Sequence, residues 1–95
     1  MPIFALQAID VPDGAALRKQ LLDVHMEHVK AQPVDVKLAG PLIGEDGAPT
    51  GSLILFEAAD LAAAHQFVTT DPYCANGIYA QFTIHQWKDV FKKLG

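Results

Sequence analysis

Between its turn signals the chain switches hydrophobic period between 2 and 3.6 four times, and that order limits the folds open to it. Ile3–Ile9 (IFALQAI) is short and apolar and runs into Asp10-Val-Pro-Asp-Gly, a turn cluster, so it reads as a buried strand. Asp13 stands where it can cap a helix reaching about Gln32, ahead of Pro33. Val34–Leu38 alternates Val34, Val36 and Leu38 with Asp35 and Lys37, and Gly40-Pro41 is expected to end that strand. Glu45-Asp46-Gly47-Ala48-Pro49 is the strongest turn signal in the chain, and Asp46-Gly47 favours a hairpin. Gly51–Ala58 (GSLILFEA) reads as a buried strand, and Asp60 can cap a helix over Leu61–Thr70. Asp71-Pro72-Tyr73 breaks that helix and Asn76-Gly77 turns the chain again. Ile78–Trp87 then alternates Ile78, Ala80, Phe82, Ile84 against Tyr79, Gln81, Thr83, His85 as a long strand. The tail Lys88–Gly95 carries Val90, Phe91 and Leu94 and is expected to pack as a short element.

The resulting order, βαββαβ, is the split βαβ or ferredoxin-like pattern: an α+β fold with two helices on one face of a four-stranded antiparallel sheet. At 95 residues the chain is expected to be one domain spanning 1–95. Its strands carry apolar residues on both sides, so the second sheet face calls for a cover, and a homodimer joined through the sheets supplies it. A net charge of −4 and an aliphatic, acidic third strand argue against nucleic acid as a partner. No apolar run approaches the ~18 residues of a bilayer span, and MPIFALQAID lacks a basic leader region. With Cys74 as the single cysteine there is no disulfide framework, and a cytoplasmic, membrane-free protein is expected.

On a helical wheel the first helix has a clean polar arc. Its apolar arc is interrupted at its centre, where Arg18 and His25 fall at about 100° and 80° from Leu17. An arginine there requires a counter-charge or a wet cavity, because burying it unpaired costs several kcal/mol. Asp71 and Glu57 are the expected protein partners, and a substrate carboxylate or phenolate is the alternative. His28 falls about 60° from His25, so the two could converge, yet nothing resembles a three- or four-ligand metal set. No metal and no cofactor is expected.

The chain resembles the YciI-like (YCII-related) proteins over nearly its whole length. The likeness rests on Arg18-Lys-Gln-Leu-Leu-Asp-Val-His25-Met, on Ala39-Gly40-Pro41-Leu42 and on Gly51-Ser52-Leu-Ile-Leu-Phe-Glu57. Its most specific part is Phe67-Val-Thr-Thr-Asp71-Pro72-Tyr73, followed by Gly77 and a last strand ending at Trp87. The resemblance implies a ferredoxin-like fold of the dimeric α+β barrel type. It also implies an active site built on a histidine and an aspartate, which fall on His25 and Asp71. One branch of that family removes chloride from a chlorinated hydroxyhydroquinone. Many members have a second arginine where this chain has Leu22, and a proline where it has Gln86.

A carboxylate on one imidazole nitrogen fixes the tautomer and raises the basicity of the other, which is the equipment of a general acid or base. His25 and Asp71 are therefore the candidate catalytic pair, although an Asp before Pro also caps turns by bonding a backbone N–H. Arg18, Ser52 and Tyr73 are the candidate substrate contacts: a planar cation, a hydroxyl opening a buried strand, and an apolar wall with a polar tip. Packing is a competing role for Ser52 and Tyr73, as it is for Cys74. Two functions fit. One is a small dimeric enzyme doing lyase-, isomerase- or dehydrochlorinase-type acid–base chemistry on a small, cyclic or aromatic molecule. The other is a non-enzymatic ligand-binding or accessory domain whose His–Asp pair is structural.

Overall fold

The computed structural model describes residues 1–31 and 33–93. Strand β1 (Ile3–Asp10) leads into helix α1 (Gly14–Lys30), followed by β2 (Asp35–Ile43) and β3 (Pro49–Glu57). Helix α2 (Leu61–Thr70), a single turn α3 (Pro72–Ala75) and β4 (Tyr79–Trp87) complete the order. The strands form one antiparallel sheet in the order β2-β3-β1-β4. This is the split βαβ topology, with the short α3 added. Gln32, the expected end of the first helix, and Leu94 in the tail lie outside the described residues.

Alternation decides which face each strand residue takes. Phe4, Leu6 and Ala8 of β1 pair with Phe56, Ile54 and Ser52 of β3 and point to the helices. With Ala64, Phe67 and Val68 of α2 the apolar members of this set make the buried core. Each fully buried large side chain there contributes roughly 1.5–3 kcal/mol. Asp60 holds the start of α2, its side chain accepting from the Ala63 N–H at 2.8 Å. Asp13 occupies the corresponding position before α1 but makes no side-chain cap; the turn closes instead through Gly14 N–H to the Val11 carbonyl at 2.9 Å.

Several expectations change. Strand β2 does not stop at Gly40-Pro41 but runs through them to Ile43. It is an edge strand, where a residue without an N–H is tolerated. In β4, Ile9 pairs with Gln81 and Asp10 with Tyr79, so Ala80 is an extra residue in a bulge. The bulge turns Tyr79 from the outer face, where strict alternation puts it, onto the helix-facing side. The tail forms no helix or strand over residues 88–93, and Val90 and Phe91 are exposed. Gly51 sits between β1 and β2, where a Cβ would strike the Ala8 carbonyl oxygen. Its lack of a side chain lets β3 draw close to β1 just before Ser52. The opposite sheet face is open and carries Ile9, Leu38, Leu53 and Trp87, all exposed. Among the described residues no helix is long and apolar enough to cross a membrane.

Candidate active site

Helix α1 stands partly off the sheet. Between it and the β2–β3 half lies a cavity of about 490 Å³. Leu22 and Met26 of α1, and Ala39, Gly40 and Pro41 of β2, give it apolar walls, while Arg18, His25, Ser52 and Tyr73 line its inner side. This gap explains why Leu22 and Met26 of the apolar arc are 49% and 40% exposed rather than buried. The buried positions on α1 are Gly14, Arg18 and His25.

The end of α2 supplies the carboxylate. Asp71 has extended backbone (φ −60°, ψ 131°), the geometry imposed on a residue before proline, and it starts α3. Its Oδ1 accepts from the Tyr73 N–H at 2.9 Å. Both of its oxygens also lie 2.8 Å from His25 Nδ1. The turn-capping role and the histidine contact therefore coexist, and the first fixes the carboxylate for the second. The Tyr73 ring stacks on the imidazole with centroids 3.8 Å apart and planes 3° from parallel, and its hydroxyl donates to the Arg18 carbonyl at 3.3 Å. His25 is thus held along one edge and one face.

Arg18 pairs with neither Asp71 nor Glu57. Its counter-charge is Asp10, at 2.6 Å from Nε and 3.0 Å from Nη2. The cluster Asp10-Val-Pro-Asp-Gly implies a turn at Asp10, yet Asp10 is the last residue of β1 and continues the inward set Phe4, Leu6, Ala8. That alternation was the available signal. Gly14 packs against Asp10, with space for no side chain of its own, and Arg18 follows one helical turn later. Burial alone would lower the Arg18 pKa, but the hydrogen bonds and charge of Asp10 outweigh it and hold the guanidinium above its usual value.

Arg18 Nη2 also donates to Ser52 Oγ at 2.6 Å, and the Tyr79 hydroxyl donates to the same oxygen at 3.3 Å. With two donors aimed at it, Ser52 Oγ keeps its own hydrogen for an acceptor elsewhere, and the serine lines the cavity. Strict alternation puts Tyr79 on the outer face, and only the bulge brings it here.

Burial of the Tyr79 phenol, partly offset by the Ser52 hydroxyl, which can turn to donate to a phenolate, pushes its pKa up to about 12. The folded chain therefore keeps this proton more tightly than the unfolded chain, whose phenol titrates near ~10. The corresponding stability, of order 2–3 kcal/mol, is fully present below pH ~10 and is lost as pH rises toward ~12. Urea midpoints measured across that window are expected to fall, and to fall less for Tyr79→Phe; equal losses in both proteins would refute this origin.

His28 does not converge with His25: its Nε2 lies 2.8 Å from the Phe67 carbonyl and its ring stacks on Phe67. Cys74 is half-buried, and burial together with the Asp71 charge pushes its thiol pKa up, away from a thiolate nucleophile.

The sequence profile of the YCII-related domain matches residues 3–88. The chain belongs to the YCII-related family. Protein YciI of Escherichia coli O6:H1 is 29% identical over 97 residues, which spans 94% of this chain and 99% of that relative. Among solved structures, the 5-chloro-2-hydroxyhydroquinone dehydrochlorinase of Burkholderia phenoliruptrix, in complex with 2,5-dihydroxybenzoquinone, superposes with a TM-score of 0.79. It is 26% identical, over 90% of this chain and 93% of its own. An antibiotic biosynthesis monooxygenase shares the fold at a TM-score of 0.58 and 15% identity, covering 95% of this chain and 99% of its own. In this YCII-related chain, then, β1, α1, β3, α3 and β4 all contribute side chains to one cavity wall and the network behind it.

Proposed function

We propose that this YCII-related chain is an acid–base enzyme acting on a small cyclic or aromatic molecule bound between α1 and the β2–β3 half of the sheet. The observation that carries the reading is His25, whose Nδ1 is engaged by a buried carboxylate while its ring lines an apolar cavity. In this reading Asp71 keeps the proton on Nδ1, and Nε2 takes a proton from the substrate or returns one to it. Ser52 donates its free hydrogen to a substrate oxygen. Arg18 and Tyr73 line the inner side of the cavity, with the Arg18 charge already matched by Asp10. An isomerase moves a proton between two substrate atoms. A lyase or dehydrochlorinase takes a proton from one atom as the leaving group, chloride in the second case, departs from another with its bonding electrons. Each needs a proton carrier such as His25 and no organic cofactor. The related dehydrochlorinase, solved with 2,5-dihydroxybenzoquinone, supports a hydroxylated ring as the substrate class. The test is turnover on a panel of hydroxyquinones and lactones, with His25→Ala as the blank. A panel in which no compound is turned over in a His25-dependent way rejects the enzyme.

The second reading is a ligand-binding or accessory domain with a structural His–Asp pair. It is favoured by the bond from the Tyr73 N–H to Asp71, which gives the carboxylate a structural task in any case. Binding of a panel compound without turnover would select it.

The open sheet face supports a homodimer in which a second copy covers Ile9, Leu38, Leu53 and Trp87. Sedimentation is expected to give twice the 10.3 kDa chain mass, and Leu53→Asp the mass of one chain. A wild-type protein that stays at one chain mass at micromolar concentration removes the dimer.

A further inference from the structure

We infer that Lys19, at the rim of the cavity, is the residue that selects an oxyanion-bearing ligand. The inference rests on the reading of this cavity as the ligand site. The charges on its wall are otherwise spent. Arg18 is matched by Asp10 at 2.6 Å, and His25 is engaged by Asp71 at 2.8 Å. Among the described residues no carboxylate lines the cavity. Lys19 lines it, is exposed, and among the described residues has no acidic side chain within 4 Å, Asp23 one turn further on included. The hydroxyl of Ser52 adds a neutral donor on the inner side, so apart from His25 Nε2 the polar groups left to a ligand ask for acceptors rather than donors.

The placement also sets a spacing. Lys19 and His25 are six residues apart on α1, a rise of roughly 9 Å, which is bridged in part by the flexible lysine stem. A ligand whose reacting atom meets His25 therefore presents its anionic oxygen, a carboxylate or phenolate, across the ring at the cavity mouth. The chain as a whole carries a net charge of −4. An unpaired ammonium at the entrance supplies local attraction where the overall field repels an anion.

The test uses two probes of one shape, benzoate and its neutral counterpart benzamide, titrated into the wild-type protein and into Lys19→Gln and Lys19→Arg. Wild type is expected to prefer benzoate. Lys19→Gln should weaken benzoate roughly two- to five-fold, the range for an ion pair beside solvent, and leave benzamide unchanged. Lys19→Arg should restore the preference, and added salt should erode it in wild type and Lys19→Arg but leave Lys19→Gln unchanged. The inference is overturned if wild type binds neither probe or shows no preference, or if Lys19→Gln weakens both probes equally. Binding is read without turnover, so the two readings fail separately: Lys19-dependent selection without turnover on any substrate rejects the enzyme alone, and turnover without that selection rejects Lys19 alone.

Discussion

Replacing His25 by Ala is expected to lower turnover by about 10²–10⁴-fold, the usual contribution of a positioned general acid or base. The same change takes a hydrogen-bond partner from Asp71, a side chain that is 2% exposed, and so should cost about 1–3 kcal/mol of stability. Activity and stability therefore have to be read separately. His25→Asn keeps an N–H donor for the carboxylate but cannot shuttle a proton. It should be as inactive as His25→Ala and closer to wild type in urea midpoint. Asp71→Asn tests the orienting role. Its side chain can still accept from the Tyr73 N–H, so the start of α3 survives, while the tautomer of His25 is no longer fixed. Rates should fall by up to ~10⁴-fold, as in other sites where a carboxylate orients the base. A folded His25→Asn protein with wild-type turnover rejects the catalytic role outright.

The largest effect on stability is expected at Asp10, far from it in sequence though joined to the same wall. Asp10→Ala leaves the Arg18 guanidinium buried with Ser52 as its remaining partner, and removing one member of such a pair costs about 3–5 kcal/mol. Most of that is the cost of an orphaned charge rather than the worth of the pair. The double variant Asp10→Ala with Arg18→Met should therefore be more stable than Asp10→Ala alone, a non-additivity that a thermodynamic cycle of urea midpoints measures. Asp35→Ala is the control. Its ion pair with Lys37 lies at 3.0 Å on an exposed aspartate and should contribute less than about 1 kcal/mol. Equal losses for Asp10→Ala and Asp35→Ala would show that Arg18 does not depend on its carboxylate.

The sequence by itself determined the order and type of the main elements, because hydrophobic period and turn chemistry are local. Asp46-Gly47 closes the β2–β3 hairpin with Gly47 at φ +84°, a conformation open to glycine at no steric cost. Asp60 caps α2, and Pro72 sets the backbone of Asp71. The wheel likewise marked Arg18 and His25 as polar residues inside an apolar arc, since that mismatch is visible within one helix. What the sequence could not fix was which distant residues answer them. The partner of Arg18 depends on how α1 seats on the end of β1, where Gly14 lies against Asp10. The side of the sheet that Tyr79 occupies depends on one extra residue in β4, and a bulge reverses a period of two without leaving a clear mark in composition. The run of β2 through Pro41 depends on its place at the sheet edge. The cavity arises because α1 rests against α3 and β3 and leaves a gap over β2. Such a gap is a relation between three packed elements, and no single stretch of chain encodes it.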